Sequence, residues 1–335
     1  FVKNVFEDSK LSSLVSGLVF VSQSVAHITT IIQSILTKEK QFQIFTSYNE
    51  IDNDFKTKLN RTVNLRNIRV HLLNKISIIL TILILNMLIL INFIIGTNFN
   101  TVYWYSFFTV QSLRLRVIQC FSYIILVNER FDILNEILLN FIKEQYNYKK
   151  RIFTIDSVNS LIENNNNMKS NKNIETILAL KHIYNGLWDT VNLINECFGW
   201  SLLSIITSYF LDFTSNAYWL FMAIENMAEP ETIWKCLGTM LPLILIIGYL
   251  SWGCQECSNK GERTGNLVNK LEKSNENEKY NALISEFSLQ IIHEPISITA
   301  NGFFNINFNL LGSMAAATVT YLVILIQFLL SERTM

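Results

Sequence analysis

The chain has 335 residues, half of them hydrophobic and only 16% charged, with 27 basic and 27 acidic side chains and a mean hydropathy of +0.27. Soluble chains carry about a quarter charged residues, so this shortage points to a bilayer. The balanced charge excludes a nucleic-acid surface and a charged tail, and five cysteines without a paired framework exclude a disulfide-built secreted domain.

The opening decapeptide, FVKNVFEDSK, is polar and lacks the apolar core of a signal peptide. Because the chain starts at Phe1 and not at Met, a piece of a longer protein is expected. A Ser-rich apolar run follows at 11–36, then a purely apolar one at 76–95, "ISIILTILILNMLILINFII". About 20 apolar residues in helical form cross the ~30 Å hydrocarbon core. The run at 101–127 is less pure, carrying Arg114 and Arg116, and 198–224, 233–252 and 310–330 complete six predicted spans. The fold class is all-α and polytopic. Residues 128–146 place Phe131, Leu134, Ile137, Leu138 and Phe141 on one helical face, so the helix of 101–127 is predicted to continue beyond the membrane. The Asn-rich stretch 162–173 reads as disordered loop. Residues 173–196, the stretch "RTGNLVNKLEKS" and the stretch "NALISEFSLQIIHEP" read as further amphipathic helices outside the bilayer.

Charge orients the spans. The connections 37–75, 128–197 and 253–309 hold clusters of Lys and Arg, whereas 96–103 and 225–232 hold none. By the positive-inside rule the basic connections are cytoplasmic and the C-terminus is extracellular. A cytoplasmic N-terminus then requires one more span before Phe1, seven in all. The sequon Asn60-Arg61-Thr62 falls on the cytoplasmic side, and no glycan is expected there. Five segments result: 1–128 with outer helices, 129–197 and 254–309 as parts of a cytoplasmic anchor, 198–253 with two more spans, and 310–335 as the terminal helix.

Enzymatic signatures are lacking. His27, His71, His182 and His293 do not cluster, and Cys254-Gln255-Glu256-Cys257 has no second pair to complete a zinc site, so helix-end thiols are the plainer reading. No cofactor or metal is implied. The informative residues are polar groups at membrane depth, each costly unless it faces protein or water. Trp104, Gln111 and Arg114 share one predicted helix. Asp212, Asn216 and Trp219 lie at spacings of four and three, hence on one face of another, with Tyr209 and Thr214 near. Ser16, Gln23, Asn86, Asn92 and Thr239 add donors and acceptors. Such a set suits a neutral polyhydroxylated ligand, whose hydroxyls take bidentate partners and whose C–H faces stack on aromatic rings. The alternative is a structural Arg114–Asp212 pair inside an interfacial aromatic belt.

The terminal stretch "TYLVILIQF", 320–328, resembles the signature of the last helix of insect gustatory receptors: Thr-Tyr, five hydrophobic residues, Gln-Phe. Family-like stretches at "NERFDILNEIL", "INECFGW" and "CQECSNKGERTGNLVNKL" occur in the same order, and "HEPI" before the terminal helix looks most like the fructose-sensing branch. The resemblance implies a seven-helix chemoreceptor-type subunit of a plasma-membrane homotetramer. It also implies a cation channel opened by a sugar, with D-fructose the expected ligand, and a cytoplasmic helical anchor joining the subunits. By the same resemblance Tyr321, Ile324, Gln327 and Phe328 line the pore. An Ile324 ring would close by dewetting, with Gln327 beside it. Positions 321, 324 and 328 share a helical face; interhelical packing would use the same spacing. The partners implied are a small sugar, monovalent and divalent cations, lipid and further copies of the chain. A transporter, or a receptor for another ligand class such as a bitter compound, stands as the alternative.

Overall fold

The computed structural model describes residues 10–96, 101–154, 162–225, 230–273 and 277–334. They form eight helices: α1 (Lys10–Leu36), α2 (Lys38–Leu59), α3 (Leu65–Gly96), α4 (Thr101–Thr154), α5 (Ile162–Glu225), α6 (Pro230–Val268), α7 (Glu278–His293) and α8 (Phe308–Thr334). The all-α expectation holds; among the described residues the sole extended pairing is an isolated bridge between Thr299 and Asn305. Hydrocarbon offers no partner to a free N–H or C=O, which is why apolar runs of this length form helices. All six predicted spans lie within α1, α3, α4, α5, α6 and α8. The Asn86 and Asn92 side chains lie outside the described residues.

Two helices outrun any bilayer. α4 has 54 residues and α5 has 64, which at ~1.5 Å per residue makes them about 80 and 96 Å long. The amphipathic stretch at 128–146 therefore continues the helix of 101–127 without a break, as its periodicity predicts. The Asn-rich segment departs from expectation: α5 begins at Ile162 and includes it. Asn costs a helix only about half a kcal/mol per residue, so a long helix nucleated further along propagates back through such a run.

The two ends of the molecule pack differently. At the end bearing the basic connections, one apolar face of each helix is buried as in a soluble protein. Ile44, Tyr48, Ile51 and Phe55 of α2 meet Phe131, Leu134 and Leu138 of α4. Ile177, Leu180, Tyr184 and Leu187 of α5 join them, with Tyr280, Ile284 and Phe287 of α7. Toward the opposite end the apolar side chains turn outward: only 6% of the span in α8 and 22% of that in α1 is buried within the chain. A surface of this kind has a non-aqueous neighbour.

α5 is the shared spine, packing against α1, α2, α4, α6, α7 and α8, while α3 packs on α4 and α6. Polar stitches fix the packed end. Arg130 grips Asp52 through two bonds of 2.9 and 2.7 Å, donates to the Leu126 carbonyl at 2.8 Å and lies 4.4 Å over the Tyr48 ring. Lys260 bridges Asp132 at 2.6 Å and Glu256 at 2.9 Å. Burial works against its charge, but these two carboxylates win and hold its pKa above the usual lysine value. Between α7 and α8 the chain makes a short hairpin in which Ile306 N–H donates to Ile298 O at 2.9 Å. Its tip, Asn301-Gly302, takes left-handed angles of φ 51 and 78°, a turn that glycine and asparagine accommodate.

Removing one partner of a buried ion pair leaves an uncompensated charge. Arg130→Leu is therefore expected to cost roughly 3–5 kcal/mol of stability, and Arg130→Leu with Asp52→Leu distinctly less. Thermal unfolding of the purified protein in detergent measures both. Asp52→Leu alone completes the cycle, and a double-variant loss equal to the sum of the two single losses would show that the pair is not coupled.

Candidate functional site

The polar residues of α5 are brought to one place by their spacing. Asp212 and Asn216 stand one turn apart, and the Asn216 amide donates to both the Asp212 carboxylate and its carbonyl, at 2.9 and 2.8 Å. From α6 the Thr239 hydroxyl donates to Asn216 Oδ1 at 2.9 Å. α1 contributes Gln23, whose side chain lies beside the Asp212 carboxylate, and α4 contributes Arg114, whose charge acts on both Asp212 and Tyr209. Three helices thus meet at one carboxylate, α6 joins them through Asn216, and Arg114 is only 3% exposed there. A single guanidinium–carboxylate pair with neutral amides and a hydroxyl around it carries little net charge. It offers hydrogen-bond donors and acceptors at short range, an arrangement able to exchange an internal partner for a ligand hydroxyl.

Not every predicted residue joins this cluster. Gln111 is buried one turn before Arg114 on α4, and its amide nitrogen has no hydrogen-bond partner among the described residues. Trp104 lies two turns further up, its ring 5.9 Å from Phe107 and 6.1 Å from Phe108 in an aromatic group of its own helix. Trp219 continues the Asp212–Asn216 face and rests 5.2 Å from Tyr218. Thr214 points the other way: its hydroxyl donates to the Phe210 carbonyl at 2.8 Å and lies 3.5 Å from that of Thr318 in α8. Ser16 is exposed on α1, apart from the cluster.

That second face of α5 is the seat of α8. Thr318 sits against Thr214, while Leu322 and Leu325 pack on Tyr218 and Met222. These three residues follow i, i+4, i+7 and occupy one stripe. The four residues of the terminal motif lie off it. Tyr321, 52% exposed, touches Phe210 with a ring separation of 5.9 Å; Ile324 and Phe328 are exposed beside it, and Gln327 is exposed opposite the seated stripe. Within the chain, then, α8 turns its motif away from the core.

One group of residues escaped sequence reasoning: Gln33 and Arg116, which are buried at the junction between the apolar and packed ends. A polar residue in an impure span signals a partner but does not name it, and Arg116 lies only two positions from Arg114.

Residues 2–332 match the family described as 7tm chemosensory receptor. Gustatory receptor 23a of Drosophila melanogaster is 43% identical over 168 residues, which are 49% of this chain and 44% of that receptor, so the match spans less than half of that relative's length. The Drosophila melanogaster chain designated gustatory receptor 2a is 27% identical over 366 residues, covering 97% of this chain and 80% of its own. The gustatory receptor for sugar taste 43a of the same fly is 26% identical over 155 residues, 45% of this chain and 35% of that one. Among solved structures, the insect olfactory receptor OR5 from Machilis hrabei superposes with a TM-score of 0.63 at 12% identity, over 97% of this chain and 84% of that one. A match along nearly the whole sequence, joined to this helical fold with its outward-turned apolar spans, makes the chain a member of the insect gustatory receptor family of membrane chemosensory receptors.

Proposed function

We propose that the chain is the subunit of a ligand-gated, non-selective cation channel of the plasma membrane, opened by a neutral polyhydroxylated ligand on the extracellular side. The first candidate ligand is D-fructose. The observation that carries this reading is the polar cluster of Gln23, Arg114, Asp212, Asn216 and Thr239, drawn from four helices at membrane depth. With the basic connections in the cytosol, the cluster falls in the outer half of the bundle. The ligand site comprises Arg114, Asp212, Asn216 and Thr239, with Gln111 as a further donor and Trp104 and Trp219 as flanking aromatic plates. Thr214 lies behind it and faces α8.

The gate is formed by α8 in a homotetramer, with Tyr321, Ile324, Gln327 and Phe328 toward the common axis and the packed cytoplasmic ends joining the copies. Two successive turns of α5 carry both functions: Asp212 and Asn216 look into the site, while Thr214 and Tyr218 seat Thr318 and Leu322. A sugar hydroxyl that replaces Thr239 as the partner of Asn216 releases α6 from α5 and shifts the seat of α8. The ligand opens the pore to the extent that it binds the shifted bundle more tightly than the resting one. A bitter compound is the second reading. The gustatory receptor for bitter taste 66a matches at 24% identity, close to the 26% of the sugar-taste receptor, so overall similarity does not separate the two ligand classes.

Membrane current from cells expressing the full protein tests the reading directly. D-fructose should evoke a cation current; sugar uptake without current would identify a transporter, and a current evoked only by bitter compounds would replace the ligand. A hydrogen bond to a charged group contributes about 1.5–3 kcal/mol, so Asp212→Ala should raise the half-maximal fructose concentration roughly ten- to a hundredfold at unchanged surface level. An unaltered dose response would remove Asp212 from the site.

A second variant probes the gate. Shrinking the closing ring with Ile324→Ala should give steady current in the absence of ligand, because a wider and less apolar constriction wets more readily. A silent Ile324→Ala channel that still reaches the surface and still opens with fructose would place the gate elsewhere.

A further inference from the structure

At the junction between its two environments α5 has an unusual turn, residues 195–201. In an α-helix the Ser201 N–H pairs with the Cys197 carbonyl, and the Trp200 N–H with that of Glu196, and α5 is helical throughout this turn. Here side chains of other helices reach those same groups. Gln33 of α1 accepts from both the amide and the hydroxyl of Ser201 through Oε1, and its Nε2 donates to the Glu196 carbonyl at 3.0 Å. Arg116 of α4 donates to the Cys197 carbonyl at 2.8 Å while its guanidinium stacks 4.1 Å from the Phe198 ring. A second arm of Arg116 reaches Gln119 at 2.9 Å, and Gln119 donates to Gln41 at 3.1 Å. Gln33 and Arg116 are 6% and 4% exposed, so water does not compete for these bonds.

The same turn grips the hairpin that leads into α8. The Asn195 amide donates to the Ser297 carbonyl at 2.9 Å and accepts the Thr299 N–H at 3.0 Å. Gly199 faces the hairpin tip so closely that a Cβ there would lie 2.9 Å from the Asn301 backbone nitrogen. Next to it the Trp200 ring is 6.3 Å from that of Phe303. Only two residues separate this hairpin's bridge at Asn305 from the start of α8 at Phe308.

A side chain inserted into the i→i−4 ladder is one of the few physical causes of a helix bend. The Ser201 N–H therefore has two competing acceptors of like worth, Gln33 Oε1 and the Cys197 carbonyl, and the Glu196 and Cys197 carbonyls each take a side-chain donor besides their ladder N–H. We propose that Gln33 and Arg116 are positioning residues that hold residues 196–201 of α5 as a hinge, through which motion of its membrane half reaches the hairpin carrying α8. The transmission role rests on the channel reading above; the hinge does not.

Two measurements on the full-length protein separate these claims. Hydrogen–deuterium exchange on detergent-purified protein needs no ligand. Gln33→Leu should speed exchange at the Ser201 amide at least tenfold while residues 177–194 keep their protection, which shows that the packed end remains folded. Unchanged exchange at Ser201 would mean that the ladder bond to Cys197 suffices, and the hinge would be overturned. Arg116→Lys, which keeps the charge but cannot both stack on Phe198 and fork to Cys197 and Gln119, should speed the same segment by a smaller factor. In cells, Gln33→Leu should cut the maximal fructose-evoked current at least fivefold, with surface level and labelled-fructose binding unchanged. Faster exchange with an unaltered current would overturn the transmission role. A wild-type protein silent to every ligand tried would instead overturn the channel reading, and the exchange result would still decide the hinge.

Discussion

The molecule depends on one constraint: α5 must be stable in two solvents along a single uninterrupted rod. Over 177–194 its inner face is aliphatic and aromatic and its outer face polar, as water requires. Beyond Phe198 the exposed face turns apolar and the polar groups move inward to Asp212 and Asn216. The hydrophobic effect organises the first half. In the second it has no purchase, since lipid is as apolar as leucine, and interhelical hydrogen bonds and close packing take over. The other helices arrange themselves accordingly: α2 and α7 cover only the watery half, α8 touches only the half in lipid, and α4 and α6 accompany α5 through both.

Much of this was legible in the sequence because both solvents leave periodic traces. The heptad-like spacing of Phe131, Leu134 and Leu138 predicts a buried face and a helix running past the bilayer, and α4 has both. Lengths of apolar run located the spans. The Asn-rich segment was misread because composition reports average preference, whereas a helix extends cooperatively from any well-anchored part. Thr214 shows a subtler limit. Two positions from Asp212 and two from Asn216, it belongs to the opposite face of α5, where Thr318 waits; nearness in sequence had grouped it with the cluster. Gln33 and Arg116 were invisible as a pair because their meeting place is the backbone of a third helix, and backbone atoms carry no sequence signal.

The two arginines of α4 illustrate how position decides role. Arg114 and Arg116 are both buried, two residues apart and therefore on different sides of the helix. Arg114 faces a carboxylate, where attraction offsets part of the cost of removing charge from water. Arg116 faces one carbonyl oxygen, an amide and an aromatic ring, none of them ionised among its described contacts. A lysine, with a compact and strongly hydrated charge, could not divide itself among those three partners; the flat guanidinium can. The first arginine is suited to exchanging partners and the second to holding geometry.

α8 poses the remaining problem of energetics. Its seat on α5 is a narrow stripe at Thr318, Leu322 and Leu325 with Tyr321 beside it, its first turns pack through Leu310, Leu311 and Met314, and most of the surface of its span is exposed within the chain. Valine, leucine and phenylalanine on that surface are at ease in lipid. Gln327 is not, because its amide can neither bond to acyl chains nor reach Thr318 or Leu322 from the far side of the helix. Under the channel reading proposed above, its placement opposite the seated stripe turns it toward water or polar groups of another copy. In a pore-lining helix both conditions are met at once, and the residue that is costly in lipid becomes the one that wets the path.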